Sequence, residues 1–182
     1  FPENIIDVGF NRGQFSSLIL IFKKSASIYA FDPNVGETIF IANKIKKSYP
    51  HRFEFFNFAL GDVVERKLLN LAVSTDNNSF MKPTNENKNL YSKALLTGKK
   101  SKVLIKTLSS VNFKLDSSNN LLKIDVQGFE LKVLKGISKK LYKKIKWIYI
   151  EVSEIKMYKG QGSLKLIDDF LRDNGFFLKQ KF

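Results

Sequence analysis

Apolar positions along the chain change their spacing several times, and each change marks a candidate element. Asn4-Ile5-Ile6-Asp7-Val8 is a short apolar run ending at Gly9, the pattern of a strand buried within a parallel sheet. Phe15, Leu18, Ile19 and Phe22 then recur at helical spacing and predict a helix over about 14–23. Residues 27–31 read as a second strand and Asp32-Pro33-Asn34 as a turn. Ile39, Ala42, Ile45 and Tyr49 mark one side of a second helix, which Pro50 ends. Residues 53–59 read as a third strand. This β-α-β-α-β order predicts a parallel sheet with helices on both faces.

The pattern then becomes irregular. Residues 67–74 (KLLNLAVS) alternate weakly, as an added antiparallel strand would, and 103–108 read as another strand. Residues 76–102 are polar and rich in Asn and Lys; a stretch this long without apolar periodicity predicts a functional loop. Beyond it the pattern predicts a strand over 121–126 and one helix over 128–143, the latter on Leu131, Leu134, Ile137 and Leu141. A strand over 146–152 follows, then a helix over 164–173 closed by Asn174-Gly175, then a last strand over 176–180. No internal repeat or linker divides the chain, so residues 1–182 are read as a single domain. Its opening on a strand without an initiator Met reads as a fragment lacking N-terminal residues.

Composition narrows the chemistry. Apolar residues make up 43% of the chain, with 17 Phe, enough for a core. The absence of Cys removes disulfides, thiolate nucleophiles and Cys-ligated zinc. His51 is the sole histidine, so no metal site is expected from histidines and no His-paired triad can form. A cytoplasmic setting is expected from the missing cysteines. No apolar run approaches the ~18 residues of a transmembrane segment. The net charge of +14 suits an anionic partner. Lysine supplies most of it, however, and Arg, the usual bidentate phosphate ligand, occurs only at positions 12, 52, 66 and 172. Nucleic acid is therefore not favoured, and an AT-rich coding bias accounts for the lysines equally well.

Three motifs carry candidate chemistry. The first, Asp7-Val8-Gly9-Phe10-Asn11-Arg12-Gly13-Gln14-Phe15, takes a strand through a glycine-bounded turn into a helix, a place where ligands bind in doubly wound sheets. Asn11 stands where a dinucleotide fingerprint has its middle glycine, and no Lys-Ser or Lys-Thr follows as in a phosphate loop. The second is Asp32 at the end of the second strand, about 20 residues further on, where a carboxylate can accept two ribose hydroxyls or cap the next helix. The third is Lys123-Ile124-Asp125-Val126-Gln127-Gly128-Phe129-Glu130, which sets Asp125 at the end of a central strand beside the same crevice.

In order, these motifs resemble the FkbM family of S-adenosylmethionine-dependent methyltransferases. Members typically read DVGANxGxF, an acidic-Pro-Asn turn, ALGD and KIDVEGxE; this chain reads DVGFNRGQF, FDPN, Ala59-Leu60-Gly61-Asp62 and KIDVQGFE, with Glu151 in the later strand. The resemblance spans nearly the whole chain and departs at Phe10, usually Ala, and at Gln127, usually Glu. It implies a class I methyltransferase (Rossmann-like) α/β fold carrying an added antiparallel strand pair. Its cofactor would be S-adenosyl-L-methionine. Gly9, Asn11 and Gly13 would line the methionine part, with Asp7, Phe15 and Pro33 in the same cofactor-binding set. Asp32 would bind the ribose, Phe58, Ala59 and Leu60 would border the adenine, and Asp125 would lie near the transferring methyl.

The implied reaction is O-methylation of a small-molecule or glycan acceptor, a carbohydrate modification. A hydroxyl acceptor needs a base, for which Asp125, Glu130 and Glu151 are candidates, ahead of His51 in a predicted surface turn. Residues 76–102, with Ser79 and Phe80, and residues 153–162 are expected to form the lid and acceptor wall. Two other enzyme readings share the fold: an RNA ribose methyltransferase and a nucleotide-binding Rossmann-like oxidoreductase.

Overall fold

The computed structural model describes residues 1–34, 36–85 and 96–182, and all counts below refer to these. Five parallel strands form the main sheet: β1 (Asn4–Val8), β2 (Ser27–Phe31), β3 (Phe53–Phe56), β7 (Asn120–Ile124) and β8 (Ile145–Ile150), in the order β3-β2-β1-β7-β8. Because side chains alternate across a strand, β1 feeds two cores. Ile5 joins Leu20, Ala42 and Phe53 beneath α1 (Gln14–Phe22) and α2 (Glu37–Ser48). Ile6 and Val8 join Leu134, Tyr142 and Ile167 on the other face. That second core is closed by α3 (Glu130–Lys135), α4 (Lys139–Tyr142) and α5 (Leu164–Asp173). The chain leaves β1 on one side for β2 and β3, then returns on its other side as β7 and β8. The connections after β1 and β7 therefore diverge, which opens a crevice at their carboxyl ends.

A smaller sheet stands beside that crevice. It consists of β4 (Ala59–Leu60), β5 (Glu65–Ala72) and β6 (Leu96–Lys106) in the order β4-β6-β5, with β5 and β6 antiparallel. Ala59 and Ile105 pack there on Phe129, tying the small sheet to the β7–α3 turn.

Four elements differ from the sequence expectation. The apolar run 53–59 divides between the two sheets, because the Asn57 amide turns away to donate to the Asp32 and Asn34 carbonyls (2.9 and 2.8 Å). The helix expected over 128–143 is two helices. It breaks at Gly136, where a Cβ would lie 1.9 Å from the Gly61 carbonyl oxygen, and restarts at Ser138, whose hydroxyl accepts from the Leu141 N–H at 3.3 Å. β6 begins at Leu96 rather than 103, its first half being a solvated ribbon paired only with β5. No strand forms over 176–180, where Phe177 is 76% exposed. The expected loop 76–102 falls partly outside the described residues.

Candidate active site

A cleft of about 380 Å³ occupies the crevice, within the range of small-molecule sites. Gly9 and Asn11 line it from the turn after β1, and Asp32, Pro33 and Asn34 from the turn after β2. Asp125 and Gln127 follow β7, Glu151 follows β8, and Ala59 and Leu60 are β4 itself. Thr75, Asp76, Asn78 and Phe80 close the remaining side.

The two nucleoside-type motifs are in contact. Asp32 accepts the Asn11 N–H at 2.7 Å and the Asn34 N–H at 2.8 Å, one on each carboxylate oxygen. Each oxygen keeps a further lone pair for a donor in the cleft. Burial, at 4% exposure, pushes the Asp32 carboxyl up to about 6 against the pull of the two N–H groups. Asn11 holds a left-handed backbone (φ 49) and orients its amide by accepting from the Thr75 hydroxyl at 2.8 Å and donating to Asp76. The Asn78 amide donates to the Asn34 side chain at 2.7 Å. Segment 75–78 is thereby fastened across both turns.

Beneath the glycine turn lies a buried ionic cluster. Asp7 on β1 and Lys123 on β7 are register partners, 0% and 7% exposed. The Lys123 Nζ stands 3.0 Å from Asp7 Oδ1, donates to the Gly9 carbonyl at 2.7 Å, and lies 3.9 Å from Asp125 Oδ2. Ser16 donates to the other Asp7 oxygen at 2.6 Å. Burial raises the Asp7 carboxyl above its usual range, opposed by Lys123 and Ser16.

Two carboxylates share the far wall. Asp125 and Glu151 directly follow Ile124 and Ile150, which are register partners on β7 and β8. The charge of Asp125, then burial, raises the Glu151 carboxyl, against the pull of Lys123. Gln127 (φ 53) donates its amide N–H to Asp125 at 3.2 Å and accepts from the Tyr158 hydroxyl at 3.3 Å. Tyr158 belongs to segment 153–162, whose backbone pairs with residues 82–84.

Several residues expected in the site stand outside the cleft lining. Asp7 is below the turn, as described. Gly13 faces the Phe10 ring, and Phe15 stacks on Tyr149 at 6.5 Å between ring centres. Phe58 packs on Phe31 and Phe56 in the core, each at 5.8 Å. Ser79 is buried, its hydroxyl spent on the Gln127 carbonyl at 2.7 Å. His51 is exposed ahead of β3, at the opposite end of the sheet. Glu130 is 3% exposed and accepts the Gly128 N–H at 2.9 Å and, more loosely, the Val126 N–H at 3.4 Å. It shapes the 125–130 turn from behind. Glu130→Ala should therefore cost stability, roughly 2–3 kcal/mol for stranding buried donors, and thermal denaturation of the purified variant checks this.

Sequence reasoning missed Lys123, Asn57 and Thr75, and it placed Asp76 and Asn78 in the expected lid without the contacts that fasten them. For Lys123 a signal existed: a lysine inside the apolar run Leu121–Ile124 must find a counter-charge. The amide and hydroxyl contacts of Asn57, Thr75 and Asn78 depend on tertiary approach and left no local pattern.

The electrostatics of the cleft run against those of the chain. Asp32, Asp76, Asp125 and Glu151 line it, and among the described residues no Lys or Arg does, although the net charge is +14. Among the described residues no group of three or more His, Asp or Glu is placed to hold a metal ion. No helix among them is long and apolar enough to cross a membrane.

Comparison with known proteins gives two findings. The model of the methyltransferase FkbM domain matches residues 7–178. A crystal structure of methyltransferase FkbM from Methylobacillus flagellatus KT superposes with a TM-score of 0.51 at 15% identity. The superposition covers 81% of this chain and 32% of that one, so the chain spans about a third of that protein's length and the likeness is one of fold. No curated protein matches the chain.

Proposed function

Since the chain belongs to the methyltransferase FkbM family, we propose that its cleft binds S-adenosyl-L-methionine and directs the methyl to a hydroxyl of a sugar or glycan. The observation that carries the cofactor is the acidity of the cleft. Four carboxylates, with no Lys or Arg among the described lining residues of a protein of net charge +14, favour a cationic ligand. They also disfavour the pyrophosphate of a nicotinamide cofactor and the phosphodiester of an RNA acceptor. The donor set fits the group: Asp32 has capacity for two ribose hydroxyls, Ala59 and Leu60 offer an apolar wall to a base, and the Asn11 turn presents a polar edge to the amino-acid end. When bound, the cofactor supplies a methyl group on a positively charged sulfur leaving group.

The protein's own part is alignment and proton removal. Asp125 and Glu151 stand at the ends of adjacent strands, where either can accept the acceptor's hydroxyl proton. Gln127 and Lys123 fix the first of these. Segments 79–84 and 153–162, paired with each other, are the proposed acceptor wall. A cytoplasmic setting belongs to the same proposal.

Calorimetry at pH 7.5 is expected to give micromolar binding of S-adenosylmethionine and no heat with NAD. The reverse order of affinities would overturn the cofactor assignment. A radiolabelled methyl donor offered with glycan fractions then tests the acceptor class, and label recovered only in RNA would refute it.

A further inference from the structure

We infer that Lys123 is a positioning residue that joins the two halves of the site, holding the glycine turn and the cleft carboxylates in one arrangement. The inference rests on the cofactor reading above for the meaning of the turn, but its geometry stands apart from it.

A lysine in a central strand is costly to bury, and partnership with Asp7 alone would satisfy it electrostatically. It donates further afield as well. The 2.7 Å contact to the Gly9 carbonyl fixes the first residue of the turn whose next-but-one N–H, from Asn11, orients Asp32. Asp125 Oδ2 is the third group near the same Nζ, at 3.9 Å, and that carboxylate faces the cleft. One buried ammonium thus touches β1 through Asp7, the cofactor turn through Gly9 and the acceptor side through Asp125. A structural ion pair needs only the first.

The charges facing this cluster come from every neighbouring element. Asp7 projects from β1, and Ser16 and Phe15 from α1, the Phe15 ring centre 5.8 Å from Nζ. Asp32 follows β2, Asp125 follows β7 and Glu151 follows β8, while Glu130 and Tyr158 act on the cluster through Asp125. Lys123 is the cation that opposes the raised carboxyls of Asp7, Asp32 and Glu151. Its removal should therefore be read at Glu151, two strands' ends away from any packing defect at Asp7.

The test is Lys123→Met, with S-adenosylmethionine calorimetry and carbon-13 NMR titration of the carboxyl groups, the Glu151 signal being identified by its loss in Glu151→Gln. Expected are a rise of about one pH unit in the Glu151 midpoint and a roughly tenfold weaker S-adenosylmethionine Kd. If Lys123→Met fails to fold, Asp7→Asn/Lys123→Met removes both charges of the buried pair and carries the same two readouts. A folded variant with the Glu151 midpoint unmoved and the Kd unchanged overturns the inference. A wild-type protein that binds no S-adenosylmethionine would sink the cofactor reading instead, and the Glu151 midpoint would still decide the role of Lys123.

Discussion

Asp32→Ala is expected to raise the Kd for S-adenosylmethionine by about two orders of magnitude while leaving a folded protein. Two hydroxyl donors to a charged acceptor are worth about 1.5–3 kcal/mol each, and a hundredfold loss, about 2.8 kcal/mol, lies just below the low end of their sum. Folding should survive because two effects of the substitution oppose each other. The carboxyl is raised from 3.8 to about 6 by burial, a burden of ~3 kcal/mol on the ionised folded state that alanine removes. Against that, alanine strands the Asn11 and Asn34 N–H groups, at about 1–3 kcal/mol apiece. Calorimetry beside a thermal melt separates the two readouts, and a variant that binds as tightly as the parent would exclude Asp32 from the site.

The same carboxyl fixes a pH dependence. Ribose hydroxyls donate to the ionised form, so affinity should hold above about pH 6 and fall towards tenfold per unit below it. Stability of the free protein runs the other way. Between 3.8 and about 6 the folded carboxyl binds a proton that the unfolded one has released, so Asp32's contribution worsens as pH rises through that window and is fully unfavourable above it. Acidification therefore weakens the ligand while relieving this one residue.

Where local pattern and tertiary outcome agree, the chain was readable. β1, α1 and β2 follow from a continuous apolar run, a helical stripe and a second run, each fixed by burial alone. The same logic placed Gly9, Asn11, Asp32 and Asp125 around one crevice, since strand ends and switch points follow from topology, and the family resemblance added Pro33, Ala59, Leu60 and Glu151, which line it too. It could not separate residues lining the cleft from those beneath it. Asp7 and Asp125 each sit in or just after an apolar strand, yet one faces α1 and the other the crevice. Phe58 and Leu60 differ likewise: Phe58 precedes the two-residue strand and packs on Phe31 and Phe56, whereas Leu60 lies within that strand and lines the cleft. The break at Gly136 had a legible signal, a glycine followed two residues later by a capping serine, but the Gly61 carbonyl that demands it lies 75 positions back in the sequence.

Gly9→Ala should be the most damaging single methyl added to this fold. Gly9 holds φ +87, where a side chain is strained, and a Cβ there would fall 1.8 Å from the Asp125 carbonyl oxygen and 2.9 Å from its carbon. Neither atom is the end of a flexible chain. The Asp125 N–H is itself bonded to the Val8 carbonyl at 3.0 Å, and the Gly9 N–H to the Phe31 carbonyl at 3.0 Å, so the two turns are stitched to the strands on both sides. Relief requires β1 and β7 to part at the point where Lys123 bridges them. The backbone strain alone costs about 1–3 kcal/mol, and the overlap takes the total to roughly 4 kcal/mol or more. For a chain of this length that lowers the melting temperature by about 10 °C or more. Gly175→Ala is the control: its φ is +86 but nothing lies within 4 Å of its Cβ, so it should lose only about 1 kcal/mol. Equal melting temperatures for the two variants would mean that the turns are not held in contact, and that the cleft is wider than the approach of Gly9 to Asp125 allows.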